Sequence, residues 1–370
     1  MSRKLLFISN IAQHSQTGGA NAVNYHIFRE LEKTFDCAYH YINPSYSKYE
    51  KLVSNINRKV LKRPGAFFFF SNRRLKRIAK EFESISWKYD LVFLKGVTPW
   101  VLCNVEVPYF LYCDVGFKQF FENTFNPKDF LKHDISRILD LENSFLSKAT
   151  TVFFESYWGL ERTANYVKTS GHFISVGRGG SISLPNEDQY SGGYRLLVIA
   201  NDFYQKGGDL TYKAMKQLSV KYPDLKLHVI GGAPSQDILN DKQVEYHGRF
   251  NKEDQKDLDN MVTIIKTSFV LMHITREDIN PLVPTEVGYF GCPTISINKF
   301  AIPELVIHGR TGLLCNSYEI QEIVEQLDLM ISDKTMYNRM RQETFEWNRY
   351  TFSWETIGEI VKKEINKNLV

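Results

Sequence analysis

Short runs rich in Val, Ile, Leu and Phe alternate along this chain with longer stretches of helical period, and the whole pattern occurs twice. "KLLFIS" precedes a helical stretch at Asn21–Glu32, "DLVFL" precedes a helix opening at Pro99, and "TTVFF" precedes Ser156–Val167. That alternation predicts parallel strands covered by helices. After the polar "SISLPNEDQYSGGY" it resumes with "RLLVIA", a helix from about Gly208 to Tyr222, "LKLHVIGG", "VEYHG", a helix from about Lys252, "SFVLMHI" and "PTISI". The stretch at about Ile182–Tyr194 therefore reads as a linker between two doubly wound α/β halves. A length of 370 residues suits two such domains. In open α/β sheets ligands bind beyond the carboxyl ends of the strands, and between two such domains they bind in the cleft. Chemistry is expected in the strand-to-helix loops.

Composition narrows the setting. Five scattered cysteines with no C-x-x-C argue against a disulfide framework and a zinc site, and favour a reducing compartment. The start "MSRKLLFISNIAQ" lacks the apolar run of a signal peptide, and no run approaches the roughly 18 to 20 residues that span a bilayer. The expectation is a cytoplasmic protein. A net charge of +4 is too small to imply nucleic acid, but one segment is strongly basic. From Arg58 to Lys80, the cations Arg58, Lys59, Lys62, Arg63, Arg73, Arg74, Lys76, Arg77 and Lys80 surround Phe67–Phe70 with no acid among them. This suits an anionic membrane surface, and equally a solvated helix face beside a buried aromatic turn.

Four loops carry candidate chemistry. After the first strand, Gly18 and Gly19 open a helix, where backbone and free N–H groups can approach a phosphate. The loop is not G-x-G-x-x-G and no acid closes a second strand, which weakens a dinucleotide reading. In "VIANDFYQKGGDL", Lys206 stands before Gly207 and Gly208, so an ammonium and a helix start can act on one diphosphate. In "HVIGGAPSQ" and "EYHGRFNKED", Gly231, Gly232 and Gly248 leave room for a flat base or sugar edge, or form ordinary tight turns. The fourth, "TREDINPLVPTEVGYFGCP", sets Asp278 and Glu286 eight residues apart. With Pro284 at the first helical position the N-cap is Val283, which has no side-chain oxygen, so the amides of Thr285 and Glu286 are expected to stay available to an anion. Glu286 then holds hydroxyls, or it is a capping acid and Asp278 a plain loop acid.

In order and spacing these loops resemble the family 4 glycosyltransferases of the GT-B fold. "LLVIANDFYQKGGDLTYKAMKQL" with "PDLKLHVIGG" is similar to that family's strand, K-G loop and helix. "TREDINPLVPTEVGYFGCPTISINKFAIPELVIHGRTGLL" is similar to its E-x₇-E block and the segments that follow, and "YTFSWETI" to its closing helix. The resemblance implies an α/β protein with two Rossmann-like, doubly wound domains facing each other across a cleft. These are an acceptor-side domain over 1–185, onto which a C-terminal helix at about 350–370 packs back, and a donor domain over 186–349. It implies a retaining, metal-independent transfer of a sugar from a nucleotide-sugar donor to a glycan or lipid-linked acceptor, with no cofactor and no protein nucleophile. Glu286 matches the acid that binds the donor ribose, Asp278 the acid that faces the sugar, and Lys206 the lysine on the diphosphate. Gly18 and Gly19 match the amino-terminal glycine loop. Gly231, Arg249, Phe250, Val283 and Thr285 complete the implied donor pocket. Asn201 replaces a commonly found arginine, so one phosphate cation is missing, and Arg276 or Arg178 is a candidate substitute. Cys113 beside Asp114 replaces a His-Asp pair on the acceptor side. Competing readings are a nucleotide-sugar epimerase of the same fold, a catalytically silent sugar-nucleotide or glycan-binding protein, and a nicotinamide-dependent oxidoreductase.

Overall fold

The computed structural model describes residues 3–12, 18–168 and 171–369. The chain divides into two compact units, Met1–Arg178 with Ile357–Val370, and Gly179–Thr356. The stretch just after Arg178 is bound to the second unit: the N–H of Gly180 donates to the Tyr289 hydroxyl at 2.7 Å, and Ile182 packs with Val287 and Tyr289.

The first unit is built on β1 (Lys4–Ser9), β2 (Asp36–Tyr41), β3 (Leu91–Lys95), β4 (Tyr109–Cys113), β5 (Thr151–Phe154) and β6 (Phe173–Ser175), all parallel, in the order β2-β1-β3-β4-β5-β6. Its helices are α1 (Gly19–Glu32), α2 (Lys48–Asn55), α3 (Asn72–Ser86), α4 (Phe117–Thr124), α5 (Lys132–Leu146) and α6 (Tyr157–Ala164). Every residue of β3 and β4 is buried, as expected of parallel strands covered on both faces. β2 is an edge strand, half-buried along "DCAYHY", and its mixed polarity hides it from an apolar-run search.

The second unit repeats the plan with β7 (Arg195–Ala200), β8 (Lys226–Gly231), β9 (Val244–Tyr246), β10 (Val270–His273), β11 (Thr294–Ile297) and β12 (Gly312–Cys315), parallel and ordered β12-β11-β10-β7-β8-β9. Around it run α7 (Gly208–Leu218), α8 (Gln236–Leu239), α9 (Gln255–Thr267), α10 (Val283–Gly288), α11 (Ile302–Leu305), α12 (Ile320–Ser332), α13 (Lys334–Thr351) and the start of α14 (Trp354–Lys367). Strand order reverses between β1 and β3 in one sheet and between β7 and β10 in the other. Those are the switch points at which doubly wound sheets open a crevice.

Several helix starts follow from sequence directly: the side chains of Ser47, Ser71, Asp254 and Asp333 each accept a hydrogen bond from the N–H three residues on. One expectation needs correction. The helix expected to open at Pro99 is a single 3₁₀ turn, Thr98–Trp100, pinned by the Trp100 indole N–H donating to the Lys95 carbonyl at 3.0 Å. Of the two readings of the basic segment, a buried aromatic turn is what stands at its centre: Phe67 and Phe68 are buried, Phe69 and Phe70 are half-buried, and Phe67 packs edge-on against Phe117, Phe121 and Phe130. No helix among the described residues is long and apolar enough to cross a membrane.

Candidate functional site

The second unit gathers polar side chains at its switch point. Lys206 lies in the loop after β7, and Asp278 in the loop after the neighbouring β10. Lys206 Nζ stands 2.5 Å from Asp278 Oδ2, and the Asp278 N–H donates to Thr275 Oγ1 at 3.2 Å. Both side chains are partly exposed, 20% and 28%, so a ligand can reach the pair. The K-G-G sequence has a packing cause. Gly207 has φ 75°, and a Cβ there would lie 2.2 Å from the Ile274 carbonyl, so only glycine lets the loop press against the end of β10.

His273, the last residue of β10, completes this group and was not singled out from sequence. It is buried, its Nε2 lies 3.8 Å from Asp278 Oδ2, and that nitrogen has no hydrogen-bond partner. Burial pulls its pKa down to about 4; the Asp278 charge opposes that and the Lys206 charge adds to it. The imidazole is therefore neutral near pH 7. Its position closing an apolar strand just before "TREDIN" is the signal that could have marked it.

Glu286 is placed differently from the expectation. α10 starts one residue earlier, with Leu282 as N-cap and Val283 and Pro284 as its first residues, and the Glu286 N–H donates to the Leu282 carbonyl at 3.0 Å. That amide is not available to an anion, which corrects the reading from sequence. The Glu286 side chain is 1% exposed. Its Oε1 accepts from the Ser181 N–H at 2.9 Å, from the Ser181 hydroxyl, and from Lys252 Nζ at 2.7 Å, while its Oε2 accepts from Lys252 Nζ at 2.7 Å. A carboxylate offers about four acceptor sites, so Oε2 retains room for roughly one further donor. Lys252 and Ser181 were missed, since they lie 34 and 105 residues from Glu286 in the chain. Thr285 Oγ1 is buried beside Glu286 without a partner.

Neither arginine offered as a substitute cation is free. Arg276 holds Asp209 with both terminal nitrogens, at 3.0 and 3.1 Å, and also donates to the Tyr204 carbonyl. Arg178 donates to Glu155 in the first unit. Asn201 is exposed, and its carbonyl accepts from Arg249 at 3.4 Å. Phe250 and Val283 are half-buried against the cluster containing Ile182, Val287 and Tyr289. Gly231, at φ 111°, is a close backbone approach to the end of β7, since a Cβ would lie 2.0 Å from the Ala200 carbonyl.

In the first unit Gly18 and Gly19 open α1 with no side-chain cap, and among the described residues a Cβ on either would meet nothing within 4 Å. The preceding residues 13–17 of that loop lie outside the described residues. Cys113 closes β4 fully buried, and burial pushes its thiol pKa well up; Asp114 beside it is half-buried. Among the described residues His228, Glu245 and His247 form a group with metal-ligand geometry on β8 and just past β9. The two rings already share a hydrogen bond, His228 Nδ1 to His247 Nε2 at 2.9 Å. The group sits on the sheet edge, away from Lys206 and Asp278 at the strand ends.

Residues 185–347 match the family described as Glycosyl transferases group 1. A curated relative, an uncharacterized glycosyltransferase of Haemophilus influenzae, is 28% identical over 160 residues, which are 40% of this chain and 42% of that protein. The chain thus matches less than half the length of that relative. Sucrose-phosphate synthase from Thermosynechococcus elongatus superposes with a TM-score of 0.69 at 14% identity, over 99% of this chain and 98% of that one. HepE of Anabaena in complex with UDP-glucose gives 0.65 at 14% identity, over 99% and 100%. At such identity these structures establish the fold.

Proposed function

We propose, on the premise of the match of residues 185–347 to the group 1 glycosyl transferases and of the GT-B fold, that this chain moves a sugar from a nucleotide-sugar donor onto a glycan or lipid-linked acceptor. The observation that carries the reading is the Lys206–Asp278 pair beside neutral His273, where the β7 and β10 loops meet at the switch point. Lys206 is the diphosphate cation. In the resting site Asp278 neutralises it; an incoming diphosphate competes for the ammonium and releases Asp278 to take hydroxyls of the transferred sugar. Glu286 Oε2, with its remaining acceptor site, takes one ribose hydroxyl. HepE was solved with UDP-glucose, which makes that donor the first to try.

During transfer the bond from the anomeric carbon to the phosphate oxygen breaks while a bond to the acceptor oxygen forms. The acceptor proton passes to the departing diphosphate. Charge builds on that diphosphate as the sugar becomes oxocarbenium-like, and the fixed Lys206 ammonium is worth most at that moment. The course we propose is retention through attack on the face the diphosphate leaves, without a metal: Glu286 stays held by Lys252, and the released Asp278 is occupied by hydroxyls of the sugar. An epimerase or a silent binding protein would share the pocket. They are separated by incubating the protein with UDP-, GDP-, ADP- and TDP-sugars and an acceptor extract: release of nucleoside diphosphate together with glycosylated acceptor supports the transferase, and nucleotide binding without either overturns it.

A lipid-linked acceptor fits a second feature. α2 and the π-helical turn Ile56–Val60 direct apolar side chains outward: Tyr49, Leu52, Val53, Ile56, Val60 and Leu61 are all exposed. They recur at helical spacing and are flanked by exposed Lys48, Lys51, Lys59, Lys62, Arg63, Arg73, Lys76, Arg77 and Lys80. A cationic amphipathic surface of this kind lies in the interface of an anionic membrane. The apolar half of the contact is this helix, in place of Phe67–Phe70. Arg58 and Arg74 do not take part, since Arg58 stacks on Phe130 and Arg74 ties down Pro44, Phe69 and Asn43.

A further inference from the structure

α2 and α3 enclose a charged cavity at the point where the apolar stripe of α2 begins. It measures about 220 Å³ and is lined by Lys48 and Glu50 in the first turn of α2 and by Arg73, Arg74 and Arg77 in the first two turns of α3. Four cations thus face one carboxylate. Two of them build the walls: Arg74 donates to the Pro44 carbonyl at 2.9 Å, to the Asn43 side chain at 2.7 Å and to the Phe69 carbonyl, and Arg77 donates to the Ser45 carbonyl at 2.9 Å. Every one of those acceptors is a neutral oxygen. Glu50 turns its Oε2 to the Ser71 hydroxyl at 2.8 Å, and Glu81, one turn beyond Arg77 on α3, is exposed and does not pair with it. Among the described residues no carboxylate forms an ion pair with any of the four cations, and the side chains of Lys48 and Arg73 make no hydrogen bond. Burial lowers the Arg74 pKa, Tyr46 and Tyr41 oppose that and the Arg77 charge adds to it, so no carboxylate is among the groups that act on this half-buried guanidinium.

Cations gathered this closely repel one another, and here the fold holds them together through neutral oxygens, which leaves their charge to be met from outside. The unspent donors are numerous, since an ammonium carries three N–H groups and a guanidinium five. A phosphate monoester suits them better than a phosphodiester does: near pH 7 it carries about −1.5 to −2 and presents three strong acceptor oxygens, against a single charge for the diester. The cavity has the volume of roughly seven water molecules, enough for a phosphate group and the first atoms of its ester. What the ester belongs to follows from the neighbouring surface. Tyr49, Leu52, Val53 and Ile56, all exposed, start directly after Lys48 and run down the same helix, so a molecule with its phosphate in the cavity has apolar surface beside it for acyl chains. We infer that Lys48, Arg73, Arg74 and Arg77 form a binding site for the phosphate monoester headgroup of a membrane lipid. The inference rests on the membrane-docking reading of α2 and adds a preference between headgroups that net charge alone does not supply.

The test compares binding of the full chain to neutral vesicles doped with phosphatidic acid, a monoester, or with phosphatidylserine, a diester, the two matched in surface potential. The parent is expected to bind the phosphatidic acid vesicles at least fivefold more tightly. Lys48→Gln with Arg73→Gln removes two side chains that bond to nothing else, so the variant is expected to fold, and it should bind both vesicles alike. Lys59→Gln with Arg63→Gln removes the same charge from exposed positions outside the cavity and should weaken both while keeping the preference. No preference in the parent overturns the inference and leaves membrane docking standing; so does a preference that survives in the first variant or is lost in the second. Absence of binding to either vesicle overturns docking and the inference with it. A melting-temperature rise with glycerol phosphate that is lost in the first variant, without a vesicle preference, assigns the cavity to a soluble phosphate and overturns the lipid assignment.

Discussion

Replacing Lys252 by Met keeps most of the side-chain length while removing both 2.7 Å contacts to Glu286. Glu286 then retains only the N–H and hydroxyl of Ser181, and at 1% exposure it has no solvent to replace the ammonium. Breaking one side of a buried ion pair costs about 3 to 5 kcal/mol, because the remaining charge is uncompensated. Lys252 is itself 19% exposed, which sets the expectation at the lower end of that range. With a urea dependence of about 2 kcal/mol per M, a 3 kcal/mol loss moves the unfolding midpoint down by roughly 1.5 M. Urea titration followed by circular dichroism reads it. The companion variant, Lys252→Met with Glu286→Gln, removes the stranded charge and should recover most of the loss. A single-variant loss under about 0.5 kcal/mol would refute the reasoning. So would a double variant no more stable than the single one.

Membrane docking is tested with Leu52→Glu, Ile56→Glu and Val60→Glu together: co-sedimentation with anionic vesicles should fall to the level seen with neutral vesicles while nucleotide binding persists, and undiminished co-sedimentation would remove the docking face. His273 is held near pKa 4 when folded and returns to about 6.5 when unfolded, so the unfolded state binds more protons between those values and stability falls as pH drops from 6.5 toward 4. His273→Gln should remove up to about 3 kcal/mol of that pH dependence. Some slope remains from His228, which burial also lowers to about 4, and a profile identical to the parent would contradict a buried neutral His273. Turnover should survive excess chelator, since a lysine carries the leaving diphosphate; activity that vanishes on chelation and returns with Mn²⁺ or Mg²⁺ would replace that role.

What could be read in the sequence divides by range. β3, β7 and β10 are short runs, apolar except for one polar residue at an end of each, and Lys206 and Asp278 stand in loops that the strand pattern predicts, so local chemistry sufficed to find them. β2 escaped because a half-buried edge strand mixes polar and apolar residues. The partners of Glu286 and the Lys95–Glu155–Arg178 group escaped because they form across tens of residues, and only the parallel topology brings those strand ends together. The basic segment shows a different limit. Charge was legible, but which apolar residues accompany it was not: Phe67 and Phe68 face inward, while the Tyr49–Val60 stripe has a period that would serve a buried face equally well.

The central claim is that Lys206 and Asp278 divide one nucleotide-sugar between them. Titration calorimetry of a nucleoside diphosphate and its sugar against the parent, Lys206→Met and Asp278→Asn tests it most directly. The account predicts that Lys206→Met weakens both ligands tenfold to a hundredfold, as for loss of one charge-assisted contact of about 1.5 to 3 kcal/mol. Asp278→Asn should leave the bare diphosphate unchanged or bound more tightly, since it frees the ammonium, and should weaken only the sugar-bearing donor. Equal losses for both variants on both ligands would make the pair a structural bridge and contradict the account.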